Sequence, residues 1–274
     1  MTILVTGATG TIGRHVADQL ARAGHPVRAL TRDATRARLP AGVQVVEGDL
    51  SSPDTLGPAL QDATALHLIP IAGDDYRPLE TAPEIVGAAV AAGVKRITVL
   101  TGSDDELAVV RAAEASGVDW THVRPLEFMA NKLAWAESIR AEGVVTAGFG
   151  GHISAVVDEA DVAAVIVAAL TEDGHTGRTY TPTGPEALSR RDTARIIGEV
   201  IGLPVRFDEL TEAEVRAQMR EQGVQPDVID FVVGYEASPP PDASVVLPVV
   251  EQVTGRPPRS FADWVSAHAD VFRA

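Results

Sequence analysis

A chain of 274 residues, 45% of them apolar, holds enough hydrophobic material for one large α/β domain, or for one domain with a smaller appendage. Its 38 acidic residues against 23 lysines and arginines leave a formal charge of -15, which disfavours nucleic-acid and anionic-membrane partners. With no cysteine there is no disulfide, thiolate zinc site or cysteine nucleophile, and a cytoplasmic location is expected.

The first run, ILVTG, starts at residue 3, too early to leave room for a cleaved leader. Short β-branched runs then alternate with alanine-rich segments of helical period, which predicts repeated strand-helix-strand units and a parallel sheet. The expected strands are 3–6, 27–31, 43–47, 65–69, 96–101 and 120–123. The expected helices between them are 11–23, 53–61, 77–92, 104–116 and 127–141. Right-handed crossovers make this a doubly wound, Rossmann-type sheet.

After residue 143 the rhythm changes. HISAVV leads into a helix at DEADVAAVIVAAL and a strand at RTYTPT, which extend the sheet. The apolar core of that helix, VAAVIVAAL, is well short of the roughly 18 residues of a membrane span. From Gly184 onward the pattern is of short helices broken by proline and glycine, with capping-box spacing at Thr211 and Glu214. The domain expectation is a dinucleotide-binding region over 1–182, with 127–157 partly on the substrate side. A smaller, mostly helical C-terminal lobe over 183–274 completes it.

ILVTGATGTIGRHV is the most specific local signal. Gly7, Gly10 and Gly13 fall where a tight turn leaves a strand, where backbone must approach a pyrophosphate, and where a helix packs close to a strand. The helix that follows offers free N–H groups and a positive dipole end to phosphate. The choice between NADP(H) and NAD(H) falls on VRALTRD. A strand ending at Thr31 puts Arg32 at the place that accommodates a ribose 2′-phosphate, and NADP(H) is favoured. A boundary shift of one residue would instead point Asp33 there and favour NAD(H), and a merely solvated Arg32 is the bland alternative.

These motifs resemble the NmrA-like branch of the atypical short-chain dehydrogenase/reductase superfamily. The resemblance also rests on GDL at 48–50, AAGVKRITVLTG at 91–102, SGVDWTHVRPLEFMANKL at 116–133, GRTYTPTGPEALS at 177–189 and TGRPPRSFADWV at 254–265. It implies that Gly7, Thr9, Gly10, Thr11, Ile12 and Gly13 line the pyrophosphate, Arg32 the 2′-phosphate, and Asp49 with Leu50 the adenine. Pro70, with Ile69 and Ile71, would face the nicotinamide. Arg124 and Pro125 would close the sheet edge, with Phe128, Met129 and Asn131 bordering the substrate pocket. Plain core packing is the alternative for Phe128 and Met129.

The superfamily's tyrosine with a lysine four residues later is absent: Glu80, Gly184 and Pro239 follow Tyr76, Tyr180 and Tyr235 at that spacing. The remaining candidates for a proton donor are Lys132, Tyr76 and His122. A solvated helix lysine is the alternative for Lys132, and a structural role for His122. Without the usual acid the chemistry leans toward acceptors that take hydride readily, such as quinones or related carbonyl compounds. The rival class is a redox-sensing regulator that binds the same cofactor and acts through a protein partner. SDDE at 103–106 reads as a helix cap, with Ser103 and Glu106 at capping-box spacing, and no histidine pair has metal-ligand spacing, so no metal is expected. The expected partner is a small-molecule substrate, and a homodimer is left open.

Overall fold

The computed structural model describes residues 2–73, 77–102 and 107–273. The chain forms two compact units whose segments interleave along the sequence. Unit one comprises 1–125, 159–182 and 249–256, and unit two comprises 126–158, 183–248 and 257–274.

Unit one begins with β1 (Thr2–Val5), α1 (Gly13–Arg22), β2 (Val27–Thr31), β3 (Gln44–Glu47), α2 (Gly57–Leu60) and β4 (Ala63–Leu68). It continues through a small antiparallel pair, β5 (Ile71–Ala72) and β6 (Arg77–Pro78), then α3 (Ala82–Ala91), β7 (Arg96–Leu100), α4 (Leu107–Ala115) and β8 (Asp119–Val123). The chain then enters unit two with α5 (Ala136–Glu142), β9 (Val144–Gly148) and β10 (Ile153–Ser154). It returns to unit one for α6 (Glu159–Thr171) and β11 (Arg178–Tyr180). Unit two resumes with β12 (Leu188–Ser189), α7 (Arg190–Ile201), β13 (Arg206–Leu210), α8 (Glu212–Glu221) and α9 (Pro226–Ala237). The last elements are α10 (Val249–Thr254) in unit one, then α11 (Phe261–Ala267) and α12 (Ala269–Phe272) in unit two.

In unit one seven strands pair in parallel in the order β11-β8-β7-β4-β1-β2-β3. The order reverses between β1 and β4, and that switch point is where open parallel sheets leave a crevice beyond their carboxyl ends. Helix α1 turns Val16, Ala17 and Leu20 inward and packs on α6, while α3 packs on α2 and α4. Helix α6 is apolar almost all round because it is buried between α1, α10 and the strands β4, β7 and β8. Arg28 reads as an anomaly within an apolar strand, but its guanidinium donates to the Ala59 carbonyl at 2.8 Å and to Gln44 at 3.1 Å. A buried cation is tolerable when its donors are met in this way.

Unit two has its own core of Met129, Ile139, Val145, Ile197, Phe261, Trp264 and Phe272 with their neighbours. Helices α7 and α8 both start in capping boxes, Ser189 with Asp192 and, as the spacing predicts, Thr211 with Glu214. The acidic DEADV stretch is tied down in both units: Asp161 to Arg256 at 2.6 Å in unit one, Asp158 to Arg259 at 2.9 Å in unit two.

Several element expectations need correction. The helix expected from 77 starts at Ala82, because Pro78 sits in β6 and Pro83 takes a first-turn position. The helix expected over 127–141 is instead an extended stretch followed by a 3₁₀ segment, Met129–Trp135, and then α5. Backbone bonds from Met129 to Val157 and from Val157 to Glu127 hold that stretch extended. The strand pair β9–β13 has no alternating apolar pattern in RFDEL to announce it; tertiary pairing with VVTAG makes the strand. The expected strand over 178–183 is only Arg178–Tyr180, and the helix in SVVLPVVEQVTG is only Val249–Thr254 after Pro248. Residues 103–106, the expected cap, lie outside the described residues.

Candidate functional site

The glycine loop is set by contacts a side chain would obstruct. Thr6 donates from both its backbone N–H and its hydroxyl to the His67 carbonyl, at 3.0 and 2.9 Å, and pins the end of β1 to the end of β4. The chain then turns at Gly7 with φ +59°, and a Cβ there would lie 2.9 Å from the Ile69 side chain. At Gly13 a Cβ would stand 2.2 Å from the Gly7 carbonyl oxygen, a distance no packing can absorb. Helix α1 therefore starts hard against the loop. Its N-cap, Ile12, supplies no side-chain bond, and no acid occupies the first turn. The Arg14 and His15 N–H groups are taken up by the Gly10 and Ile12 carbonyls at 3.3 and 2.9 Å, so an anion here would be met by the positive end of the helix dipole and by the loop N–H groups just before it.

Around this loop lies a cleft of about 600 Å³, within the size range of small-molecule sites. Gly7, Thr9, Arg32, Asp49 and Leu50 line it together with Ile69 and Ile71. Strand β2 ends at Thr31, so Arg32 is the first residue past the strand. Asp33 also borders the cleft, but its carboxylate is turned into a local turn, accepting from the Thr35 N–H at 2.9 Å and the Thr35 hydroxyl at 2.5 Å. Those bonds, the hydroxyl's first, hold its carboxyl below the usual range. Sequence reasoning missed Arg36, which brings a second guanidinium to the same end of the cleft. The RDATR spacing was the available signal.

Of the other cofactor candidates, Gly10, Thr11, Ile12 and Gly13 do not line the cleft but shape its floor and the helix start, and Thr9, Gly10 and Thr11 are open to solvent. Pro70 is buried, its carbonyl accepting from Leu79 at 2.7 Å, while its two isoleucine neighbours face the cleft. Arg124 is exposed just past β8 and Pro125 is buried. His122 stacks on Trp120 at 4.4 Å between ring centroids, and burial pushes its imidazole below the usual range. It lines neither this cleft nor the cavity described next. Tyr76 lies outside the described residues.

A second cavity, about 320 Å³, belongs to unit two and is lined by Leu126, Glu127, Asn131, Lys132, Trp135, Ala147, Arg190, Tyr235 and Glu236. Lys132 is not the solvated helix lysine the sequence allows. Its side chain is 4% exposed, bonded to Glu127 at 2.5 Å and set 5.1 Å from the centre of the Trp135 ring. Arg190 donates to Glu236 and to the Gly148 carbonyl, and the His152 ring lies 2.8 Å from Glu236. Burial alone would raise the Glu236 carboxyl; His152 and Arg190 together hold it below the usual range. Asn131 therefore joins Lys132 at this cavity, whereas Met129 is fully buried in the unit-two core and Phe128 bridges Val157 with extended backbone. Among the described residues no cluster suited to a metal ion is found, and no helix is long and apolar enough to cross a membrane.

A profile of the NmrA-like family matches residues 1–233. The chain belongs to the NmrA-like family. Among curated relatives, a (4-alkanoyl-5-oxo-2,5-dihydrofuran-3-yl)methyl phosphate reductase of Streptomyces griseus is 41% identical over 98% of this chain and 99% of that protein. An NAD(P)H azoreductase of Xenophilus azovorans is 37% identical over 99% of each. Among solved structures, an NADPH-dependent quinone oxidoreductase of Escherichia coli, complexed with NADPH, superposes with a TM-score of 0.82. At 25% identity, that match covers 98% of this chain and all of the other. In this chain the glycine loop and the end of β2 face one cleft.

Proposed function

We propose that this chain is an NADPH-dependent reductase that delivers hydride to a small activated acceptor, a quinone or a related conjugated carbonyl compound. The observation that carries the reading is the cleft of unit one. The loop beside it has no room for a Cβ at Gly13 and a positive φ at Gly7, its helix start carries no side-chain cap, and Arg32 stands at the end of β2. These features fit a dinucleotide whose pyrophosphate meets the loop and whose 2′-phosphate meets Arg32, with Arg36 beside it and Asp33 diverted to Thr35. When bound, the reduced nicotinamide supplies hydride.

Unit two by itself offers a second cavity suited to a small molecule, with apolar walls from Leu126, Trp135 and Ala147 and polar groups that include the Lys132–Glu127 ion pair. His122, stacked in its strand, is structural in this reading. The Streptomyces griseus and Xenophilus azovorans relatives are both named as reductases, which supports an enzyme over the sensory alternative. The lack of cysteine supports a cytoplasmic setting.

Mixing the protein with NADPH and a panel of quinones and conjugated enones, while following nicotinamide absorbance, tests the proposal. Turnover with at least one acceptor, faster with NADPH than with NADH, is expected. Tight NADPH binding with no turnover of any acceptor would overturn it.

A further inference from the structure

Helix α9 carries apolar side chains on two sides. Ile229 and Val233 are buried and anchor it within unit two. Val228, Phe231, Val232 and Tyr235 recur at the spacing of a second stripe, and this one is open: Phe231 is 64% and Val228 45% exposed, with Val232 and Tyr235 half-buried. Away from it, Asp230 pairs with Arg216 of α8 at 2.5 Å. At its C-terminal end the open stripe runs into the unit-two cavity, because Tyr235 belongs to both.

The cavity itself is polar and balanced. Lys132 is bonded to Glu127 and Arg190 to Glu236, so each cation is already answered. Three polar groups of the lining have no hydrogen-bond partner among the described residues: the Asn131 amide, the Tyr235 hydroxyl and Glu236 Oε2, which has the His152 ring beside it. Burial, together with the negative charges of Glu127, Glu236 and Asp242, pushes the Tyr235 phenol above its usual range and keeps it a donor at neutral pH. The lining thus offers donors and acceptors without a spare positive charge. It suits a neutral, oxygen-bearing group and gives an anion nothing to pair with.

Resting on the reading of this cavity as a small-molecule site, and on no step of the reduction, we propose that unit two binds an amphipathic molecule: a neutral head with carbonyl or hydroxyl oxygens occupies the cavity, and an aliphatic chain leaves it past Tyr235 and lies along Val232, Phe231 and Val228. From Tyr235 to Val228 the helix rises about 10 Å, the length of roughly eight extended carbons. A second copy of the chain fits the stripe less well. Four side chains fall far short of the roughly 20 to 30 residues a side of a stable interface. The same helix also carries Asp227, Asp230 and Glu236 in a chain of charge -15, so two copies would oppose like charges.

The probes are the ubiquinone head without a chain and with butyl, octyl or dodecyl chains, titrated without cofactor by quenching of tryptophan fluorescence, with decanoate as a competitor. A chain shielded on one side should gain about twofold in affinity per methylene, reaching about a hundredfold at octyl and levelling off by dodecyl. Val228→Gln/Phe231→Gln, at two exposed positions, should cut that gain to about tenfold or less, and Asn131→Ala/Tyr235→Phe should weaken the chainless head about tenfold. Decanoate should compete poorly. A gain with chain length that is absent, or equal in the parent and in Val228→Gln/Phe231→Gln, overturns the stripe and leaves the cavity reading in place. A chainless head that does not bind, or binds Asn131→Ala/Tyr235→Phe as tightly as the parent, removes the cavity reading and the inference with it. Decanoate competing as well as the octyl compound overturns the neutral head. A dimer seen by sedimentation that Phe231→Gln dissociates overturns the inference in favour of a second copy. Oxidation of NADPH by the same compounds is followed separately, so a failed reductase reading shows as binding without turnover.

Discussion

Replacing Arg32 with alanine should weaken NADPH binding and leave NADH binding nearly as it was. Arg32 follows the last residue of β2 and lines the cleft, so it can meet a 2′-phosphate as a charged partner, where NADH offers only an uncharged hydroxyl. A charge-assisted hydrogen bond contributes about 1.5 to 3 kcal/mol, a range of roughly tenfold to hundredfold in affinity. Arg32 is exposed, so salt screening places the effect near the lower end, about tenfold. Arg36 remains in Arg32→Ala and retains part of the attraction. The double variant Arg32→Ala/Arg36→Ala should therefore reach about a hundredfold, and its loss should shrink as salt is raised. Fluorescence titration with both cofactors at two ionic strengths measures all of this. Equal losses for NADPH and NADH would show that the end of β2 does not recognise the 2′-phosphate.

Gly13→Ala drives a methyl group into the Gly7 carbonyl, so it should cost about 1 to 3 kcal/mol of stability and abolish cofactor binding, as followed by urea unfolding and titration; unchanged affinity would contradict the role given to the loop. His67 is fully buried and its imidazole is pushed down to about 4 from 6.5 by burial. The unfolded chain thus takes a proton that the folded one refuses. Its contribution is complete above pH 6.5 and is lost as pH falls from 6.5 to about 4, for a total of about 3 kcal/mol. Urea curves across that window should show a steeper loss for the parent than for His67→Gln, and identical pH dependence would refute this. Glu127→Gln leaves the Lys132 charge buried without its counterion and should cost about 2 to 3 kcal/mol, much of it recovered in Glu127→Leu/Lys132→Met. No loss in the single variant would mean that the pair is not coupled.

The cofactor cleft was readable because its determinants are local. Strand, turn and helix follow one another within ILVTGATGTIGRHV, and the end of β2 can be placed from the β-branched run that precedes Arg32. The resting place of Asp33 was not readable, since its carboxylate is diverted by a hydroxyl two residues away. The unit-two cavity lay further from reach. Glu127 and Lys132 are five residues apart, a spacing that no α-helical face brings together, and they meet because the segment bends from an extended stretch into a 3₁₀ turn. Arg190, Tyr235 and Glu236 come from segments distant in the chain, joined only by the tertiary packing of unit two. The local sequence of Tyr235 offers only Pro239 four residues on, whereas its surroundings are supplied by His152 and by the cavity wall.

Hydrogen–deuterium exchange with and without NADPH tests most directly whether the unit-one cleft holds the cofactor. Protection should gather in three stretches, the glycine loop with the start of α1, residues 31–37, and residues 48–50, and should weaken in the last two when NADPH is replaced by its nicotinamide mononucleotide half, which lacks both the adenine and the 2′-phosphate. Protection confined to other segments, or none at saturating NADPH, would contradict the account.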